Sequence, residues 1–126
     1  MKQRALVQFE AEGFHQWNSA PEAREYLRHR HRHVFKYKIE MQLKHSEREI
    51  EFHDLLDMCK KFVCKLDYGP QSCETMAWRL IQFLRETFVS QTIEVTVMED
   101  GENGAVCKFD PKTDTNQDLA DAIGDY

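Results

Sequence analysis

The chain reads as a small α+β domain, and three observations predict it. Two period-two stretches stand near the N-terminus, two amphipathic helical stretches follow, and two more strand-like stretches come after them. Strands and helices that segregate into runs build one antiparallel sheet with helices laid against it, not a doubly wound parallel sheet. The expected order is β-β-α-α-β-β, a four-stranded antiparallel sheet with two helices on one face. A length of 126 residues fits one such domain around one core.

Each element has its own signal. Val7, Phe9, Ala11, Gly13 and His15 fall on one face of a period-two repeat and predict a strand over Ala5 to His15. Gln16 to Leu27, with Asn18, Ser19 and Pro21, then form an excursion between two strands. The second strand carries the clearest alternation: His31, His33, Phe35, Tyr37, Ile39, Met41 and Leu43 on one face, and Arg32, Val34, Lys36, Lys38, Glu40, Gln42 and Lys44 on the other, wet face. After a polar turn at His45 to Glu49, Leu55, Cys59, Phe62, Val63 and Leu66 fall at helical spacing on one stripe. Gly69-Pro70 ends that run, and Ser72 is placed to cap a second helix facing inward with Met76, Ala77, Leu80, Ile81, Leu84 and Phe88. Ile93, Val95 and Val97 predict a third strand, and Asn103-Gly104 a hairpin leading to a fourth over Ala105 to Phe109. The domain is expected to span 1–110, with 111–126 an acidic and loose tail.

Composition narrows the partners. A net charge of −5 argues against nucleic acid, which needs a cationic surface. No apolar block is long enough for a membrane span, and the first residues lack the pattern of a secretory signal, so a cytoplasmic protein is expected. Cys59, Cys64, Cys73 and Cys107 form no CxxC pair and read as reduced thiols. Arg24, Arg28, Arg30 and Arg32 crowd around histidines, which predicts either a local anion site or a solvated face.

The histidines carry the chemistry. Four of the six fall at His15, His29, His31 and His33. On a strand, His31 and His33 point to the same side about 7 Å apart at the backbone. His15 ends the preceding strand, so pairing of the first two strands lets all three rings converge on one cation. Three imidazoles with a vacant position is the arrangement of a catalytic zinc, not the closed thiolate cage of a structural one. The same HRHRH run also suits a basic surface strip without metal.

The stretch His31-Arg32-His33-Val34-Phe35-Lys36-Tyr37-Lys38-Ile39 resembles the HGHNYxVxV segment of the 6-pyruvoyltetrahydropterin synthase and 6-carboxytetrahydropterin synthase family. Ile50-Glu51-Phe52-His53-Asp54-Leu55 is similar to that family's V-x-D-F-x-D-L. Ser72-Cys73-Glu74-Thr75-Met76-Ala77 resembles its P-T-S-E-N-L-A, and Val97-Met98-Glu99 its V-x-E-T. The segments follow in the family's order. The resemblance implies a tunnelling (T-fold) subunit in a homo-oligomer such as a dimer of trimers, with sites at the interfaces. It implies zinc on His15, His31 and His33, and a pterin-like ring held by Glu99, whose carboxylate suits two parallel N–H donors.

The family's proton machinery is altered. Its cysteine, four residues before the first histidine of HGH, is Leu27 here, and its Leu-Asp-His segment is Leu66-Asp67-Tyr68. Asp67, Tyr68 and Cys73 are the candidates to move protons, Cys73 because a helix N-terminus lowers a thiol's pKa. Glu74 and Arg28 join Glu99 as candidate ligand-binding residues. Cys73 as a core residue and Glu74 as a helix-capping charge are the plainer assignments. Three functions follow: a diverged zinc enzyme acting on a pterin-like or purine-derived heterocycle, a binding protein that captures such a ligand unchanged, or a protein whose zinc only locks two strands.

Overall fold

A computed structural model describes residues 2–64 and 67–124. Leu66, assigned above to the stripe of the first helix, and Tyr126 of the tail lie outside them. The chain is α+β, with a four-stranded antiparallel sheet in the order β1-β2-β3-β4. The strands are β1 (Gln3–His15), β2 (His31–Leu43), β3 (Ile93–Glu99) and β4 (Asn103–Phe109). Helices α1 (Phe52–Phe62) and α2 (Cys73–Arg85) lie between β2 and β3, and α3 (Asn116–Ile123) follows β4.

Register decides what faces inward. Val7 pairs with Ile39, Phe35 with Glu99 and Ile93 with Phe109, so odd-numbered residues of all four strands share a face. On it Ala5, Phe35, Ile39, Met41, Ile93, Val95 and Val97 are wholly buried, together with Leu55 of α1 and Leu80, Ile81 and Leu84 of α2. α1 lies against β1, and α2 against β3 and β4. The even-numbered face carries charge instead: Arg4 pairs with Glu40 and Glu94 at 3.2 and 3.3 Å, and Arg32 with Glu12 at 2.6 Å.

Capping follows local chemistry. Ser72 Oγ accepts the Thr75 N–H at 3.1 Å at the start of α2, and Glu51 caps α1 through the Asp54 N–H at 2.9 Å. Two expectations need correction. The β3–β4 turn is built on Asp100 (φ 55°) and Gly101 (φ 73°), not on Asn103-Gly104. Gly104 sits inside β4, where an added Cβ would meet the Val97 carbonyl oxygen at 1.9 Å. The segment expected to be a loose tail contains α3, opened by a capping box between Thr115 and Asp118 and anchored by buried Leu119 and Ile123.

Candidate metal centre

The inward row of β2 changes character along its length. From Met41 to Phe35 it is apolar; then come His33 and His31, with His15 of β1 directly opposite His31. Glu99, the last residue of β3, pairs with Phe35 and reaches the same end of the sheet. The ring centres lie 4.6 Å (His15–His31), 5.1 Å (His15–His33) and 4.9 Å (His31–His33) apart, nearly perpendicular to one another. One ligand atom from each of His15, His31, His33 and Glu99 falls within 4.8 Å of the others, so these four residues could hold a metal ion.

Every Nδ1 is engaged by an atom outside the cluster. His15 Nδ1 donates to the Gln71 carbonyl at 3.0 Å, His31 Nδ1 to the His29 carbonyl at 2.8 Å and His33 Nδ1 to Asp100 Oδ2 at 2.7 Å. These oxygens only accept, so a proton belongs on each Nδ1, and in the neutral ring Nε2 keeps its lone pair. All three Nε2 atoms are buried and without a hydrogen bond. His33 Nε2 lies 2.6 Å from Glu99 Oε2 and His15 Nε2 3.5 Å from it, so two of the three Nε2 atoms face the Glu99 carboxylate. Imidazoles fixed through one nitrogen with the other bare are what metal coordination requires.

Asp100 does more than touch His33. Its Oδ1 accepts the Val34 N–H at 2.8 Å, and its own N–H donates to the Val34 carbonyl at 2.8 Å. The left-handed turn residue is thereby clamped onto β2 beside the histidine it orients. Charge is arranged to match. His15 lowers the Glu99 carboxyl below its ordinary range against the effect of burial, and His33 and His31 add to this. For His15, burial acts against the charged ring, but Glu99 and the Gln71 carbonyl more than offset it and the net shift is upward.

A cleft of about 540 Å³ opens beside the histidines. His15, His31 and Glu99 line its floor, with Trp17 and Leu27 from the β1–β2 excursion, Gln71, Ser72, Cys73 and Glu74 from the start of α2, and Asn103 and Gly104 of β4. Trp17 and Leu27 are brought together because the Trp17 N–H donates to the Leu27 carbonyl at 2.7 Å.

The remaining candidates divide. Glu74 and Cys73 line the cleft; Asp67, Tyr68 and Arg28 do not. Tyr68 is buried in the core, its hydroxyl donating to the Val63 carbonyl at 3.0 Å and accepting from Tyr37 at 3.1 Å. Burial pushes its pKa up, further from a proton relay. Asp67 accepts from Arg30 Nε at 3.1 Å on the outer side of β1, and Arg28 Nε donates to the Ala20 carbonyl at 2.7 Å. The expected fall in the Cys73 pKa is reversed: burial, then the Glu99 and Glu74 charges, push the thiol up to about 12. Asp100 and Trp17 went unrecognised in the sequence, although Asp100-Gly101 is itself a turn signal that could have placed Asp100 at a strand end.

The chain matches no protein-family model, and no curated protein matches it. Among the described residues no helix is long and apolar enough to cross a membrane.

Proposed function

We propose that the protein is a zinc-dependent enzyme similar to the 6-pyruvoyltetrahydropterin synthases, a diverged T-fold subunit acting on a pterin-like or purine-derived heterocycle. One observation carries the reading: three buried Nε2 atoms, each on a ring whose Nδ1 is anchored, converge with the Glu99 carboxylate beside a cleft that His15 and His31 line. His15, His31 and His33 would hold the metal, and three imidazoles with a neighbouring carboxylate is a donor set that zinc accepts readily. Zinc there would supply Lewis acidity toward a substrate oxygen.

The chain's own residues do the rest. Glu99 is anionic at neutral pH, so its two oxygens can accept paired N–H groups of a ring or take up a proton at the floor of the cleft. Trp17 offers a half-exposed indole for stacking at the rim. The assembly proposal rests on the sheet edges. Within the described chain the outer edge of β4 has no strand partner, and that of β1 meets only an isolated bridge between Phe14 and Asp67. Joining such edges between copies would hide them and build the multi-subunit T-fold barrel.

A binding protein that captures the heterocycle unchanged is the second reading. It is favoured by Leu27 in the cleft where the family has cysteine, by Tyr68 locked in the core and by Cys73 held protonated. Incubating zinc-loaded protein with a dihydropterin, and following product by mass spectrometry alongside calorimetric binding, separates the two. Product formation supports the enzyme, tight binding without product supports the binder, and a flat titration removes both.

A further inference from the structure

The cleft beside the histidines has a one-sided charge balance. Its lining includes two carboxylates, Glu99 and Glu74, and no lysine or arginine among the described residues. The four arginines nearby in sequence are engaged elsewhere. Arg30 donates to Asp67 and lies 3.9 Å over the Phe14 ring, and Arg32 donates to Glu12 at 2.6 Å. Arg28 and Arg24 donate to the Ala20 and Ala23 carbonyls.

Among the described residues that line the cleft, the start of α2 offers positive potential from the backbone, since the first turn of a helix favours anions. That potential is already answered. Ser72 Oγ takes the Thr75 N–H, and Glu74 places its carboxylate in the same turn. A divalent cation among the histidines is likewise matched by the two carboxylates. The lining contributed by this chain leaves no surplus positive charge for a polyphosphate, whose approach to Glu74 would set like charges together. What the lining offers is acceptors for N–H donors, amide groups on Gln71 and Asn103, and the indole of Trp17.

We infer that this cleft takes a flat heterocycle that is uncharged or cationic, rich in N–H donors and free of phosphate. This rests on the heterocycle reading above and narrows it. The test is calorimetric titration of the zinc-loaded full chain with dihydroneopterin and with dihydroneopterin triphosphate, at one ionic strength. The free pterin should bind at least about tenfold more tightly, and Glu74→Gln should reduce that gap by about threefold by removing one facing charge. Glu74 is exposed at the first turn of α2, so the variant should keep its helix signal and zinc content. Equal or tighter binding of the triphosphate overturns the inference and leaves the heterocycle reading standing. Binding of neither compound overturns both, and an unchanged ratio in Glu74→Gln counts against the charge argument.

Discussion

Two halves of the same strand face the same side of the sheet and are stabilised in opposite ways. Phe35, Tyr37, Ile39 and Met41 are at most 2% exposed, and the one polar group among their side chains, the Tyr37 hydroxyl, donates to Tyr68. His33 and His31 continue that row, but they bring buried Nε2 atoms that make no hydrogen bond, that of His33 facing Glu99 Oε2 at 2.6 Å. An unsatisfied buried polar atom costs about 1–3 kcal/mol, so the imidazole end lowers the stability of the metal-free protein while the apolar end raises it. A cation that accepts the lone pairs removes that cost. The apolar half therefore serves the fold and the imidazole half serves a ligand.

The sharpest way to break this comparison is to truncate each half in turn. His31→Ala should lower zinc affinity by more than about 100-fold in a chelator competition assay, because a direct ligand matters at least as much as the groups that orient it. The metal-free variant should unfold at or above the denaturant midpoint of the metal-free wild type, because one unsatisfied buried nitrogen is gone. Ile39→Ala should do the reverse: about 2–5 kcal/mol lost in chemical denaturation, with zinc stoichiometry intact in the folded fraction. Equal stability losses in the two metal-free variants would erase the distinction.

Asp100→Asn tests the boundary between the halves. Asparagine tolerates the left-handed backbone of this turn residue and can still accept the Val34 N–H. It loses the carboxylate facing His33 Nδ1, and zinc affinity should fall by about 10–100-fold with little change in stability. Tyr68→Phe lies on the apolar side. It removes the hydroxyl shared with Tyr37 and Val63, and should cost about 0.5–1.5 kcal/mol in denaturation while zinc affinity stays unchanged.

The smallest effect concerns Cys73. Its pKa is raised to about 12, so the reactive thiolate is scarce below that value and grows as pH rises toward it. Alkylation of Cys73 followed by peptide mass spectrometry should stay slow at pH 8 and accelerate only at strongly alkaline pH. Fast labelling at pH 7 would restore it as a candidate proton carrier.

How much of this was legible in the sequence follows from how local each signal is. Parity along a strand is local, so His31 and His33 could be placed on one side, and the length of β1 brought His15 opposite His31. The α+β class and the Ser72 cap were legible for the same reason. Partners supplied across turns were not. Asp100 reaches His33 because two positive φ values fold the β3–β4 turn back onto β2, and the Gln71 and His29 carbonyls are backbone atoms that no side-chain pattern reveals. Arginine positions depended on acids distant in sequence, such as Asp67 and Glu12, so a cluster that suited either an anion site or a solvated face resolved into separate pairs. α3 was missed because Leu119 and Ile123 give only two inward positions, although Thr115 and Asp118 spell its capping box.

X-ray absorption at the zinc edge, on protein loaded with one equivalent, tests the central claim most directly. Convergence of His15, His31 and His33 predicts three imidazole nitrogens at about 2.0–2.1 Å, completed by oxygen and without sulfur. A sulfur shell at about 2.3 Å, fewer than three imidazoles, or failure to retain zinc through dialysis would contradict it.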